Sequence, residues 1–345
     1  MKVTMRDIAK KANGSLATVS RALSGAGYIK EDTLELVIKT CKELGYAPVV
    51  RNIESKSHSN LIGIVTADLK NEFNVYVIEG ITKVAEQNGY EVLVYDQQEN
   101  PRRSLKAVES FSKIPVNGII LTPVMDTTSL GFEYLGSLEK MKIPLVLVDR
   151  DLKYSHFDGV FLDNVFGGHA ATLALIKAGH RKIATITGTY SSLTGRDRLS
   201  GYKKAMHING LDLNEQYIKS GEFTIEGGYG AALELFDLED PPTAVFVANS
   251  VMMKGFVRAV RERKKKIPDD VSVISFDDLV NSSSLTNLSV VAQPMREMGE
   301  KAMEILLERI CEPAHYKQDT MRLVLNPNIV LRGSEIFQQD NYNSQ

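Results

Sequence analysis

Two cysteines in a chain of 345 residues cannot build a disulfide framework. Cys41 lies among Val37, Ile38 and Leu44, and Cys311 falls in another helical-looking stretch, so both are expected as buried free thiols. No apolar run approaches the length of a membrane span, and the N-terminal segment lacks the apolar stretch of a secretory signal. A cytoplasmic protein without a membrane partner is the expectation. Metal-ligand spacing is missing among the six histidines, as are a Gly-x-Ser-x-Gly elbow and a phosphate loop. No metal, no cofactor and no enzymatic activity are therefore expected.

Net charge is small, at -2, but it is unevenly placed. Residues 1–60 carry ten Lys/Arg against six Asp/Glu, while residues 61–345 carry 31 against 37. A basic head on an acidic body fits a head that meets phosphates and a body that does not. The head also holds a motif. Thr4 with Asp7 forms a variant capping box for a first helix whose apolar side is Ile8 and Ala9. Asn13-Gly14 is a turn signal. Ser15 then caps a second helix with Val19, Ala22 and Leu23 on one face and Leu16, Ala17, Ser20 and Arg21 on another. Small, hydroxyl and Arg side chains on an outward face suit a major groove, so the pattern is a helix-turn-helix.

A third helix is predicted from Asp32 to Leu44, stopped by Gly45, with Tyr46-Ala47-Pro48 ending the head. Residues 49–60 are polar and Ser-scattered and are predicted to be a hinge or linker. From Leu61 the rhythm changes to βα units. Apolar runs at 61–65, 92–95, 118–121 and 144–148 predict buried parallel strands, followed by a second set at 182–187, 244–248 and 271–276. Amphipathic helices are predicted between them, and a long one from Met295 to Ile310 follows a candidate return crossover at Ser289–Gln293. A short β-rich tail covers 322–325 and 329–331. Two such sets in series imply two doubly wound lobes, with ligand binding at the strand C-termini in the crevice between them. The expected architecture is thus a small all-α head (1–48), a hinge (49–60), a two-lobed α/β ligand-binding and dimerisation body (61–332) and a disordered tail (333–345).

Seven segments occur in an order that resembles the lactose-repressor (LacI/GalR) family of bacterial transcription factors. They are Val3-Thr4-x-x-Asp7-Ile8-Ala9, Thr18-Val19-Ser20-Arg21, Leu44-Gly45-Tyr46-x-Pro48, Asp163-Asn164-x-x-Gly167-Gly168, Gly179-His180-Arg181-Lys182-Ile183, Arg196-x-Arg198-x-x-Gly201-Tyr202, and the run from Ile267 to Asp278. The resemblance covers roughly residues 3–332 and implies a periplasmic-binding-protein-like body. It also implies that the second helix lies in the major groove, its first two positions, Leu16 and Ala17, choosing the base sequence. Leu16 offers only apolar contact, such as to a thymine methyl, and Arg21 can reach guanine or phosphate. Thr4, Ser15, Thr18 and Ser20 are the phosphate contacts and caps that fix register. In the hinge, the family's minor-groove wedge Leu corresponds to Ser55, leaving Ile53 as the only apolar candidate.

Carried onto this chain, the crevice residues are Asp149 and Phe73 on the first lobe, Arg198, Phe223, Asn249 and Asp277 on the second, and Gln293 on the crossover. Carboxylates, an Arg, amides and an aromatic face suit many hydroxyls on an apolar-faced ring, meaning a sugar or sugar derivative. The family's usual Asn-Asp pair is Asn249-Ser250 here. Structural alternatives stay open: an ion pair for Arg198, helix capping for Asp277 or Asp278, core packing for Phe223 and turn packing for Leu16. The resemblance implies a ligand-responsive regulator, a repressor acting as a homodimer on palindromic double-stranded operator DNA of carbohydrate genes. Two alternatives stand beside it: gating by a phosphorylated partner protein, and a sugar-binding transport receptor, which shares the body but not the head.

Overall fold

The computed structural model describes residues 5–15, 18–19, 30–44, 60–124, 129–141, 143–152, 155–278, 287–311 and 319–336. It divides into two compact units, Met1–Asn60 and Leu61–Gln345. No helix among the described residues is long and apolar enough to cross a membrane.

In the smaller unit, α1 (Met5–Lys11) and α2 (Glu31–Glu43) enclose a core of Ile8, Ala9, Ala12, Val19, Val37 and Cys41. The turn after α1 forms as its residues dictate: Asn13 takes φ 53°, and the Gly14 amide closes on the Ala9 carbonyl at 2.9 Å. Ser15 acts as a cap at the end of this turn, its Oγ accepting the Thr18 amide at 3.0 Å. Burial raises the Cys41 thiol above its ordinary pKa. Cys311, by contrast, is exposed, against the expectation of two buried thiols.

The larger unit opens with β1 (Leu61–Thr66), α3 (Glu72–Gln87), β2 (Glu91–Asp96), α4 (Pro101–Phe111), β3 (Gly118–Leu121), α5 (Ser129–Lys140), β4 (Leu145–Asp149) and β5 (Asp158–Leu162). The chain then crosses into α6 (Asn164–Lys177), β6 (Ile183–Thr187), α7 (Leu193–Ile208), β7 (Ile218–Ser220), α8 (Ile225–Phe236), β8 (Ala244–Val247), α9 (Ser250–Glu262), β9 (Ser272–Phe276) and β10 (Ser289–Ala292). It returns through α10 (Met295–Cys311) to β11 (Arg322–Leu325), then crosses once more to β12 (Asn328–Val330). The two sheets have the orders β11-β5-β4-β3-β1-β2 and β12-β10-β9-β8-β6-β7. All pairings are parallel except β10 with β12. Setting aside the tail strands, each lobe has the order 2-1-3-4-5, so one topology is used twice.

The strands are fully buried apolar runs, as parallel sheets covered on both faces require. The edge strands are the exceptions: β2 exposes Leu93 and Val94, β7 is only half-buried, and the tail strands β11 and β12 expose Val324 and Ile329. Two strands escape hydropathy reading. β5 begins with Asp158, and β7 spans only three residues, Ile-Lys-Ser. The tail is not a local hairpin: its two strands join opposite sheets. Order also runs beyond residue 332, where the sequence predicts disorder. Ser334 Oγ donates to the Val273 carbonyl at 2.6 Å and accepts the Ser289 amide at 2.7 Å.

Helix pairs in both lobes approach to backbone contact through glycine. A Cβ at Gly80 of α3 would lie 2.1 Å from the Arg296 carbonyl oxygen of α10, and one at Gly168 of α6 would lie 2.2 Å from that of Arg198 on α7. Only glycine fits at such crossings.

Candidate functional site

The strand C-termini of both lobes lead into helix N-termini capped by short polar side chains. Asn71 accepts the Phe73 amide, Asp163 the Phe166 amide at 2.7 Å and Asn249 the Met252 amide at 2.8 Å. Each cap satisfies an otherwise orphaned amide and fixes where the next side chains emerge.

Asp149 ends β4, and Asp277 follows β9, the corresponding strand of the second lobe. Both adopt left-handed backbone, φ 70° and 71°. Such geometry costs about 1–3 kcal/mol for a residue other than glycine, and Asp is among those that tolerate it. The same strained turn therefore appears twice, each time presenting a carboxylate at a strand end. Burial raises the Asp149 carboxyl above its ordinary pKa, opposed by the Arg150 and Arg198 charges. Arg150 is turned toward Glu99, its two terminal nitrogens donating to the carboxylate at 2.8 and 2.6 Å. That charge-assisted fork leaves Asp149 only a 3.6 Å contact with Arg150 Nε.

Asp277 is held from two sides: its Oδ2 accepts the Ser250 amide at 3.2 Å, and its Oδ1 accepts Gln293 Nε2. The carboxylate can only accept, which fixes the amide of Gln293 with Nε2 toward it. Gln293 Oε1 is then left buried with no hydrogen-bond partner among the described residues.

Arg198 is buried on α7, its guanidinium 3.5 Å from the centroid of the Phe276 ring. Its Nε donates to Asn164 Oδ1 at 2.8 Å, and its Nη1 donates to the Ala248 carbonyl at 2.6 Å. Burial lowers its pKa, opposed by the charges of Asp277 and Asp149. The three crevice charges of the two lobes thus act on one another.

Phe223, half-buried, packs against β6's end, where a Cβ at Gly188 would meet its ring at 2.0 Å. Its own φ is 57°. Asn249 uses one lone pair of its Oδ1 on the helix cap, leaving its amide nitrogen as a free donor type for a ligand, and Ser250 is the first helical residue. Phe73 is buried in the hydrophobic core. Of the two acids with a capping alternative, Asp277 binds the start of the preceding helix α9, and Asp278 pairs with Arg332 at 2.6 Å. Of the DNA-contact candidates, Ser15 and Thr18 are described, their hydroxyl oxygens 2.8 Å apart. Thr4, Leu16, Ala17, Ser20, Arg21 and Ile53 lie outside the described residues.

Sequence reasoning missed Asn164, Arg150 with Glu99, Phe276 and the link between lobes formed by Lys254 and Glu72 at 3.5 Å. Asn164 stands inside one of the seven motifs, but its place at a crossover depends on β5, which hydropathy does not reveal. Phe276 likewise stands inside a motif, the run from Ile267 to Asp278, whereas no local signal marks the pairing of Arg150 with Glu99 or of Lys254 with Glu72.

Comparison with known proteins agrees with this architecture. Residues 4–49 match the model of bacterial regulatory proteins of the lacI family, and residues 172–335 match a periplasmic binding protein-like domain. The chain is 31% identical to the ribose operon repressor of Haemophilus influenzae, covering 96% of this chain and 98% of that one. It is 30% identical to the HTH-type transcriptional repressor PurR of Klebsiella pneumoniae, covering 96% of each. A solved complex of the transcriptional regulator CelR with cellobiose superposes with a TM-score of 0.71 at 26% identity, covering 96% of this chain and 99% of that one. These relatives are regulators of transcription, and with a matching head, a matching body and near-complete coverage, the chain belongs to the lacI family of bacterial regulatory proteins.

Proposed function

We propose that this protein is a ligand-responsive transcriptional repressor that binds a palindromic operator as a homodimer and controls carbohydrate-utilisation genes. The observation that carries the reading is the crevice constellation: Asp149 and Asp277 on opposite lobes, Arg198 coupled to both, and Gln293 Oε1 without a donor among the described residues. A polyhydroxyl ring supplies that donor and accepts from Arg198, while Phe223 covers an apolar ring face. Asn249 contributes through its amide nitrogen. Catalysis has no part in this reading, and neither does a metal or cofactor.

DNA reading falls to Leu16, Ala17 and Arg21, with Thr4, Ser15, Thr18 and Ser20 setting register on the phosphates and Ile53 the candidate wedge. One small head spans too few base pairs for specificity, and two linked heads match a palindrome. A ligand gripped by both lobes biases their relative position, and the dimer converts that bias into head spacing. Coupling in the usual range of roughly 1–3 kcal/mol changes operator affinity by about 5–150-fold.

The experiment is a thermal-shift screen of the full chain against D-ribose, cellobiose and other mono- and disaccharides, followed by operator titration with each hit. Arg198→Ala and Asp277→Ala are expected to lose the ligand response while keeping ligand-free operator affinity. If both variants still respond to the hit, the crevice assignment fails.

A further inference from the structure

Both crossovers that border the crevice carry an amide side chain bonded to a crevice charge. In the second, Gln293 holds Asp277. In the first, Asn164 does more. Its Oδ1 accepts Arg198 Nε at 2.8 Å, and its Nδ2 donates to the Leu162 carbonyl at 3.3 Å. Arg198 can only donate and a carbonyl can only accept, so this orientation of the amide is fixed by chemistry. Leu162 is the last residue of β5 in the first sheet, whereas Arg198, Ala248 and Phe276 all belong to the second lobe. The Asn164 side chain therefore bridges the two lobes at the point where the chain passes between them. It is also buried, where neither bond is readily replaced by water.

We propose that Asn164 is a positioning residue that couples the Arg198 guanidinium to lobe rotation. A rotation that carries Leu162 away from Arg198 loads the two bonds of Asn164, which lie in series between them. Arg198 has little freedom to follow, because the Ala248 carbonyl and the Phe276 ring hold it from the other sides. Conversely, a ligand that pulls on Arg198 pulls on the end of β5. Asn164 need not touch the ligand to transmit its presence. This inference rests on the crevice reading above for its biological meaning, but its test uses no ligand, so the two can fail separately.

The test is an inter-lobe distance distribution by pulsed dipolar EPR on the full-length protein. Spin labels go on cysteines at the exposed Glu109 and Glu239, one in each lobe, as E109C and E239C in a C41S/C311S background. The parent is expected to give one narrow population. Asn164→Ala removes both bonds and is expected to add a second population. Asn164→Asp keeps an acceptor for Arg198 Nε but loses the donor to Leu162, and the same second population is expected with thermal stability nearer the parent. If Asn164→Asp superposes on the parent, Asn164 only supports Arg198 and the proposal is overturned. It is equally overturned if Asn164→Ala leaves the distribution unchanged. Should the alanine variant not fold, the aspartate variant alone decides.

Discussion

The two lobes share a strand order and place an aspartate with φ near 70° at the end of the same strand, yet they surround it differently. In the first lobe the carboxylate of Asp149 stands beside an Arg150–Glu99 pair whose acid is well exposed. In the second, Asp277 is clamped by a backbone amide and by Gln293, next to an arginine stacked on an aromatic ring. Backbone topology repeats because one packing solution serves both sheets. The side chains are free to diverge, and they give the two strand ends different surfaces.

The tail strands sharpen the contrast, and the largest expected effect comes from there. In the first lobe, Arg309 on α10 forms a two-point pair with Asp158 at 2.8 and 3.0 Å, with side chains only 8% and 4% exposed. Asp158 also accepts the amide of Met321, the residue just before β11. Removing one partner of a buried pair leaves an uncompensated charge, so Asp158→Ala is expected to cost about 3–5 kcal/mol in urea unfolding. An effect below 1 kcal/mol would mean that water reaches the pair.

Acid should strike the second lobe through His180. Its nitrogens lie 2.9 Å from Thr243 Oγ1 and 3.2 Å from the Glu335 carbonyl, and burial pushes its pKa down from 6.5 to about 4. Between those values the unfolded chain binds the proton and the folded one does not. Stability is therefore retained above pH 6.5 and lost as pH falls toward 4, by an amount on the order of 3 kcal/mol. His180→Asn should flatten that part of the melting-temperature profile. A profile unchanged in slope would remove His180 as its cause.

The glycine crossings separate stability from response. Gly80→Ala and Gly168→Ala each force a methyl into a backbone carbonyl, and overpacking of this kind costs about 1–3 kcal/mol. Both variants should melt earlier. Only Gly168→Ala displaces the backbone of Arg198, so only it should also weaken a sugar-induced thermal shift. Equal ligand responses in the two would dissociate the crossing from the crevice. The smallest effect belongs to the second lobe's counterpart of the buried pair. Arg332 and Asp278 are 28% and 27% exposed, and Asp278→Ala should change stability by only about 0–1 kcal/mol.

Much of this molecule is written locally. The run Gly118–Leu121 is a strand because four apolar residues between polar neighbours have nowhere to go but a sheet buried on both faces. Ser15, Asn13 and the apolar spacing of the head specify a turn and a cap within a few residues. Asp149, Arg198, Asp277 and Gln293, on which the proposed crevice rests, stand beside motifs or at the ends of recognisable elements, so their places in the fold could be read from the sequence. Tertiary structure decided the rest. A strand such as β7, three residues long, exists only because β6 offers it an edge, and β11 and β12 find partners in different lobes that no periodicity encodes. Asn164 reads as one more polar residue at a helix start until β5 and α7 close around it. Local sequence fixes which backbone a segment prefers; which distant carbonyl or guanidinium its side chain meets is set only when the lobes assemble.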